Sequence, residues 1–536
     1  MLHRIYKSYD NRQRQKNTRT NQKRQLFKLL LLLFIIYYCY IIYNSTFIVP
    51  EYAPYNIGMP LFQEYYNGEV TSVSFVIAHL FYLIISFLSG MEITTIFTIP
   101  WVLLPTAILV YTISYTLSKN KLIASFATII QLSANFIQSY SIATHSLGLF
   151  YLILALLIMI LYLNKRISYK KFILLQSVCI LLLYYTSYDV YPLYCLISLI
   201  YIILILVFMI IRRITNSTNP LINISLHNFE KKGIMFQCLF SILLLVYMDF
   251  IYNIALNFFR RNGNLDNFSE FITSLFSGGG TGDGAILTGG ATYSFIGYIL
   301  YGFMFIFMSY YLVIIFINKN NTTPQIDYLL LSCYISFGIF GFLRVLVGST
   351  GFFILVFLFT CMLIPRIWIL TSNFGHCCKS KLNHKPNLLT IFIKILLILF
   401  LLFSIIHAAD AVITYNQNNY PELNDAAARW SDSYINNENG VYCDFTSCGL
   451  INMLLYQLNS QYYDTKIQIY PDNIIQRIDS NTPLFLSNYL LVNPRLLSAP
   501  ATNNDWSVVY PYKMSQYIQN FQNINIIYQS PLLLCK

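Results

Sequence analysis

A carboxylate between two prolines, Glu51, follows the first long apolar run of the chain in the stretch FIVPEYAPYN. A carboxylate held in a partly desolvated cleft can act as a general base. Acidic side chains near membrane depth are costly to bury, so they are candidates for function. Other carboxylates lie on the same, outer side of the topology that the loop charges predict: Glu64, Glu69, Asp189, Asp249, Asp266, Glu270 and Asp283.

Basic partners on that side are few, and they are Arg260, Arg261 and Arg344. The stretch GFLRVLVGSTG places Arg344 alone at the outer end of an apolar segment. Its planar guanidinium suits bidentate binding of a phosphate. An arginine there can also anchor the segment by reaching the membrane surface. We therefore treat Arg344, Arg260, Arg261 and Asp189 as candidate substrate-binding residues.

The composition indicates a membrane protein that crosses the bilayer many times. Of the 536 residues, 56% are hydrophobic and 10% are charged, whereas soluble domains carry about 25% charged residues. Apolar runs near the length of a membrane-spanning helix, about 20 residues, recur from Phe27 to Ile406. The predicted fold class is an all-α polytopic membrane protein with a small C-terminal α/β domain outside the membrane.

Basic residues in the short loops orient the predicted spans. The basic tail and the loops SKNK, NKRISYKK, RRITNS…EKK, INKN and CKSKLNHK all face the cytoplasm in one topology, as the positive-inside rule requires. The net charge of +12 therefore indicates anionic membrane lipids as partners and not nucleic acid. The predicted spans number about 11: 27–44, 93–117, 122–140, 146–164, 172–188, 191–211, 234–257, 292–317, 326–343, 345–371 and 389–409.

The segment 74–90, SFVIAHLFYLIISFLSG, is apolar enough to span but does not fit this topology. Counting it as a span would invert every later loop. We expect an interfacial helix on the outer face, with an ordinary span as the alternative.

The polar regions define the domain organisation. A basic cytoplasmic tail, a membrane domain with two external loops, and an external domain follow one another. SGGGTGDG in the second loop is not a phosphate-binding loop, because no GK[ST] follows it. The regions are 1–26 for the tail, 27–409 for the membrane domain, 45–92 and 258–291 for its loops, and 410–536 for the external domain.

The cysteines divide by environment. Those in apolar runs, such as Cys179 and Cys333, are expected to be buried core residues. Cys443, Cys448 and Cys535 fall in the external region, where one disulfide among the three is expected and its pairing stays open.

EYAPYN resembles the D-x-P-Y-H type motif in the first external loop of polyprenyl-phosphate-dependent glycosyltransferases of the GT-C superfamily. The similarity continues in order along most of the membrane region. LIISFLSGMEI resembles the family's outer-surface helix ending in Ser-Gly, and YTLSKNKLIASFATIIQL resembles its Y-x-L-A-R-x-L…A-x-x-A-A-x-L. SLGLFYLILALLIMILYL, TSYDVYPLYCL and GFLRVL take the places of its next span, a later polar turn and its late G-R-x-L.

The resemblance implies a transferase that moves a sugar from a polyprenyl-phosphate carrier to an acceptor on the outer face. Glu51 would deprotonate the acceptor hydroxyl, and Tyr55 and Asn56 of the motif would bind substrate. A lone base opposite a departing phosphate implies direct displacement with inversion. Arg344, with Arg260 or Arg261, would stabilise charge on the phosphate.

Two positions depart from the family pattern. Glu51 stands where the family usually has Asp, and Asn56 stands where His is common. A misplacement near 1 Å can cost on the order of 100-fold in rate, so the site is either rebuilt around the longer side chain or inactive. No cofactor is assigned, although a nearby divalent metal ion would favour the ionised form of Glu51.

Two other function classes remain open. A non-catalytic membrane scaffold with an external domain would need no base. A transporter or flippase of lipid-linked saccharides would place charged residues in mid-span, whereas the predicted spans are nearly uncharged and Asp249 and Lys394 are the main exceptions.

The topology makes a direct prediction about labelling. A cysteine introduced at Ser380 should react with a membrane-impermeant thiol reagent only from the cytoplasm, and one at Ser433 only from outside. Protection measured in sealed and in opened membranes checks this. Reaction of both cysteines from the same side would contradict the topology.

Overall fold

The structure is a computed structural model, and it describes the greater part of the helical region together with short strands near the C-terminus. The described residues are 32, 36, 76–91, 96, 101–134, 144–186, 190–215, 233, 235–237, 239, 241–243, 295–317, 324–346, 359–370, 391–392, 395–406, 442–443, 484–487, 528–529 and 533–535.

Most described residues are helical. Their bounds are α1 Val76–Ser89, α2 Leu103–Ser118, α3 Lys121–Ala134, α4 Thr144–Leu163, α5 Tyr169–Thr186, α6 Val190–Thr215, α7 Phe295–Ile317 and α8 Pro324–Leu346, followed by a π-helix at Phe359–Leu363 that continues as α-helix to 370.

Local sequence explains where the helices start and stop. α8 begins with Pro324, which suits a first helical position because its missing N–H would have no partner there. Asp327 in the first turn favours the positive end of the helix dipole. α1 stops at Ser89 because Gly90 adopts a left-handed conformation with φ of 67°, and its N–H is bonded to the carbonyl of Ser86.

One predicted span differs from the structure at its start. The sequence predicts a continuous segment over 93–117, but Trp101 and Val102 form a turn and α2 begins at Leu103. Pro100 and Pro105 explain this, because a proline in a helix interior removes a hydrogen bond and clashes with the preceding turn. Pro105 is tolerated where it stands because it lies in the first turn of α2.

The bundle has an apolar core that also encloses polar side chains, and it exposes many large apolar side chains on its surface. Buried polar side chains include Ser114, Gln131 and Gln176, whereas Leu174 of α5 and Ile214 of α6 are exposed to 65% and 75%. Soluble proteins rarely expose large contiguous apolar surfaces. This distribution supports contact of the helix surfaces with lipid.

One helix among the described residues has the length and composition of a membrane span. Within the described side chains, Val190–Ile211 is the one helical stretch both long enough and apolar enough to cross a bilayer, and the other apolar stretches have 10–17 residues. The number of spans therefore stays a prediction from the sequence.

Ring contacts between helices show which helix ends lie together at each of the two ends of the bundle. At the first end, the ring of Tyr162 stacks on Phe172 at 4.2 Å between centroids, and Phe208 of α6 stacks on Tyr328 of α8 at 5.0 Å. At the second end, Tyr184 packs edge-on against Tyr191 where α5 passes into α6. Neighbouring helices thus run antiparallel, as the loop charges predict; which end faces the cytoplasm stays a prediction.

Helix α1 packs at the second end. Tyr82 is fully buried and packs with Ile96, Val102 and Leu147 in one apolar cluster. The opposite face of α1 is open, and Leu88 is 84% exposed. At 14 residues α1 is about 21 Å long, shorter than the roughly 30 Å hydrocarbon core of a bilayer. Its length and packing agree with the predicted interfacial helix; its position at a membrane surface stays a prediction.

The described C-terminal residues form a four-stranded sheet. Its strands are β1 Tyr442–Cys443, β2 Leu484–Ser487, β3 Tyr528–Gln529 and β4 Leu533–Cys535, in the order β1-β2-β4-β3. β1 and β2 are parallel, so the chain between them must cross over, and the other neighbours are antiparallel. An independent α/β domain over 410–536 stays a prediction.

The strand register corrects one expectation about the disulfide. Cys443 pairs with Phe485, and Phe485 pairs on its other side with Cys535. The Cα atoms of the two cysteines are therefore two strand spacings apart, about 9–10 Å. A disulfide usually needs Cα atoms about 4.4–6.8 Å apart. A bridge between Cys443 and Cys535, which the sequence left open, is thus excluded, and Cys448 lies outside the described residues.

We expect that digestion of the unreduced protein yields no peptide that links Cys443 to Cys535. The strand between them keeps the two residues apart, whatever the redox conditions. Mass spectrometry of the unreduced digest checks this, with the reduced digest as control. Recovery of that linked pair would contradict the register of the sheet.

Candidate functional site

A fully buried ion pair joins α8 to the helix that follows the π-helix. Nε of Arg366 donates to Oδ1 of Asp327 at 2.8 Å, and Nη2 donates to Oδ2 at 2.6 Å. The hydroxyl of Tyr311 in α7 donates to the same Oδ1 at 2.8 Å. Asp327 and Tyr311 are fully buried, and Arg366 is 5% exposed. We call these three residues the Asp327 cluster.

Each member of the cluster comes from a helix end. Asp327 is in the first turn of α8, Tyr311 is near the end of α7, and Arg366 is near the end of the described helix 359–370. Just before Arg366, the π-helix carbonyl of Cys361 accepts a hydrogen bond from the hydroxyl of Ser114 at 3.0 Å. A π-turn changes the helical register, so it helps to set the direction of the next turn.

The cluster is suited to holding helices together and not to binding a substrate. The fork of Arg366 matches the carboxylate of Asp327 in bidentate geometry, which fixes both distance and orientation. Burial leaves no open face on either charged group.

A second buried network joins α5, α6 and the helical residues at 233–243. The amide nitrogen of Gln237 donates to the hydroxyl oxygen of Tyr194 at 2.6 Å and to Oγ of Ser198 at 3.0 Å. The amide nitrogen of Gln176 donates to the same Tyr194 oxygen, which leaves Oε1 of Gln176 without a partner. Turning the Gln176 amide over would let Tyr194 donate to that oxygen and satisfy it. Such bonds hold helices together within a membrane.

The predicted site residues lie outside the described residues, with one exception. Glu51, Tyr55, Asn56, Asp189, Arg260 and Arg261 are not described, and the backbone of Arg344 lies in the last turn of α8.

The backbone nevertheless relates the regions that carry some of these residues. α8 starts at the first end of the bundle, where Tyr328 meets Phe208, so its last turn with Arg344 lies towards the second end. α1, which follows the loop of Glu51, packs at this second end. Asp189 falls in sequence between the end of α5 and the start of α6.

Sequence reasoning missed the Asp327 cluster because it looked for charges on the outer side alone. A signal was present: IPRIWIL places Arg366 inside an apolar run, and PQIDYLLL places Asp327 at the start of another. Charges in apolar runs usually pair with each other, so the two could have been matched. The expected burial of Cys179 and Cys333 is confirmed, since both are buried free cysteines.

In the part of the chain that the structure describes, no group of three or more His, Cys, Asp or Glu could hold a metal ion. The loop of Glu51 lies outside that part, so the divalent metal considered for it is not tested.

Comparisons with known proteins give a distant similarity. No family model matches the sequence, and no curated protein is similar to it. Two crystal structures of ArnT from Cupriavidus metallidurans are similar to the chain, one bound to undecaprenyl phosphate and one in the apo state. They are 11% and 10% identical with TM-scores of 0.42 and 0.44, and each similarity covers 94% of this chain and 97% of the other. We infer function from the chain's own residues.

Replacing Asp327 by Asn should strongly destabilise the bundle. The change leaves the guanidinium of Arg366 buried without a counter-charge, and breaking a buried pair typically costs about 3–5 kcal/mol. The free energy of unfolding of the purified protein in detergent measures the effect.

The matched control is the double variant Asp327→Leu with Arg366→Met, which removes both charges together. It should recover much of the loss, because no buried charge then lacks a partner. An Asp327→Asn protein as stable as the wild type would show that the pair does not hold the helices.

Proposed function

We propose that the protein is a membrane glycosyltransferase that moves a sugar from a polyprenyl-phosphate carrier to an acceptor on the outer face. The observation that supports this best is the position of α1, which follows the acidic loop motif, relative to the helix that carries Arg344. The acidic loop motif EYAPYN precedes α1, and α1 packs at the end of the bundle towards which α8 carries Arg344. This arrangement would allow a base from that loop and a phosphate-binding arginine to meet at one end of the molecule.

The shape of α1 supports the same proposal. The resemblance implies a helix that ends in Ser-Gly, and α1 ends at Ser89 with Gly90 at φ of 67°. The hydroxyl of Ser86 donates to the carbonyl of Met91 at 2.8 Å, and the N–H of Met91 donates to Oγ of Ser89 at 3.1 Å. These bonds turn the chain sharply after α1. Glycine suits position 90, because a residue with a side chain would be strained at this φ.

The proposed reaction is one displacement at the anomeric carbon. The carboxylate of Glu51 takes the proton of the acceptor hydroxyl while its oxygen attacks the anomeric carbon. The bond from that carbon to the phosphate oxygen breaks, and the polyprenyl phosphate leaves with the electron pair. One displacement inverts the configuration. Tyr55 and Asn56 would position the acceptor or sugar beside the base.

The phosphate would be held by arginines. Arg344, with Arg260 or Arg261, would match the phosphate oxygens and stabilise the charge that develops as the bond breaks. Asp189 would bind the sugar or acceptor from the connection between α5 and α6. The Asp327 cluster lies at the start of the helix that carries Arg344, about 25 Å away along its axis, so it would fix α8 without touching the substrate.

The variant Glu51→Gln tests the base. It keeps the shape of the side chain but cannot take a proton, so turnover should fall by roughly 100- to 10,000-fold. Release of polyprenyl phosphate from a panel of polyprenyl-phosphate monosaccharides, with extracted glycans as acceptors, gives the rate. Glu422→Gln, in the predicted external domain, is the control and should keep its activity. Glu51→Asp should be impaired less than Glu51→Gln. Full activity in Glu51→Gln would remove Glu51 from the mechanism.

The variant Arg344→Lys tests phosphate binding separately. Lysine keeps the charge and its attraction to the carbonyl end of α8 but loses the planar fork. Affinity for polyprenyl phosphate should therefore fall clearly while the unfolding temperature stays unchanged. The uncharged polyprenol is the control ligand and should bind both proteins equally. Unchanged affinity for the phosphate would return Arg344 to an anchoring role.

A further inference from the structure

A surface of exposed cations lies at the first end of the bundle, opposite to the proposed site. Two turns supply it, one between α2 and α3 and one between α4 and α5. All six side chains are exposed. We call this surface the basic patch, and its residues are Lys119, Lys121, Lys165, Arg166, Lys170 and Lys171.

No carboxylate balances the basic patch within its own segment. The sequence contains no Asp or Glu between Glu92 and Asp189. Among the described residues, none of the six cations forms an ion pair; the described buried carboxylate, Asp327, is bonded to Arg366. The patch therefore carries a high local positive charge.

The two turns lie close together, and their charges oppose each other. Partial burial lowers the pKa of Lys119, and the positive charge of Arg166 lowers this pKa further. The stack of Tyr162 on Phe172 closes the second turn. The cations are thus gathered at a cost in electrostatic free energy.

The placement of lysines against the helix dipoles adds to this cost. α3 begins at Lys121, α5 carries Lys170 and Lys171 in its first turn, and neither helix has an acidic residue in its first turn. Cations are unfavourable at the positive end of a helix, where Asp and Glu are usual. The lysines at the starts of α3 and α5 therefore destabilise these helices, whereas acidic residues there would stabilise them.

Lysine also stands at two backbone positions where glycine would be less strained. Lys119 and Lys165 close α2 and α4 in the left-handed conformation, with φ of 53° and 57°. They are the non-glycine residues with positive φ in the described chain. After α4, the backbone N–H of Lys165 donates to the carbonyl of Tyr162, and the backbone N–H of Arg166 donates to the carbonyl of Leu161. A helix ending of this kind usually has glycine at the left-handed position, which Lys165 occupies here. Lysine stands there at a steric cost that glycine avoids.

Gly233, which follows a third basic stretch of the sequence, lies against Tyr162 of α4. A Cβ on Gly233 would collide with the ring of Tyr162, so the chain approaches α4 closely at this point. Lys231 and Lys232 precede Gly233 in the sequence. The surroundings are apolar on the bundle side, where Tyr115 and Leu174 are exposed below the cations. Apolar helix surface next to a ring of cations is the arrangement that a lipid with a charged headgroup would fit.

We propose that the basic patch binds the anionic phosphate headgroup of a phospholipid in the membrane leaflet at the first end. The headgroup would supply the negative charge that the segment lacks, and the acyl chains would lie along the exposed apolar faces of α2 and α5. This lipid site is separate from the proposed catalytic site at the second end and does not depend on transferase activity.

The variant carrying Lys119→Gly and Lys165→Gly separates binding from folding. Glycine relieves the left-handed strain, so the unfolding temperature should stay the same or rise. The affinity for phosphatidylglycerol should fall about tenfold or more, because two cations near the phosphate are lost. Native mass spectrometry of the full-length protein in detergent, titrated with phosphatidylglycerol, gives the affinity. Phosphatidylcholine with the same acyl chains is the control lipid and should bind more weakly than phosphatidylglycerol.

A matched variant, Arg12→Gln with Arg14→Gln, removes two cations from the N-terminal tail and should keep its affinity for phosphatidylglycerol. An equal loss in both variants would show diffuse attraction and overturn the proposal. So would an unchanged affinity in the glycine variant, or full competition by inorganic phosphate, which would indicate a site for small anions. If the glycine variant does not fold, the wild-type affinity decides: it must fall steeply with added KCl and must persist in Lys119→Arg with Lys165→Arg.

Discussion

The bonding of Asp327 to Arg366 is the contact on which the packing of the later helices depends. Water and counter-ions cannot reach either group, so each charge is stable only while the other is in place. Tyr311 adds α7 to the same point, and Ser114 ties the neighbouring π-helix to α2. One carboxylate thus fixes the start of α8 against two other elements. Because a helix is stiff along its axis, this also limits where the opposite end of α8, with Arg344, can lie.

Charged residues are few in this chain, so their positions are informative about function. The two ends of the bundle contain different features. The first end holds the Asp327 cluster inside and the basic patch outside, whereas the second end holds α1, the start of α6 and the last turn of α8. Between them, buried polar side chains such as Gln176 and Tyr194 bond to one another across helices. A lipid-facing anchor at one end and a proposed transfer site at the other is a consistent division of roles.

Sequence patterns predicted the helical segments well, because long apolar runs leave few alternatives in a bilayer. α4 and α5 lie within a few residues of their predicted bounds. The break before α2 was missed, since hydropathy does not register a proline at a helix start. The Asp327 cluster was missed because the pairing of two residues far apart in the sequence depends on how the helices pack in the tertiary structure. The strand register that separates Cys443 from Cys535 could not be predicted either, as it depends on which strands become neighbours.

The proposed function is tested most directly by locating the carrier phosphate. A cryo-electron microscopy structure of the protein with bound polyprenyl phosphate would show it. The account predicts phosphate density within hydrogen-bond distance of the Arg344 guanidinium, about 3 Å, and next to the first external loop with Glu51. Phosphate density confined to the basic patch at the opposite end, or none beside Arg344 at saturating ligand, would contradict it.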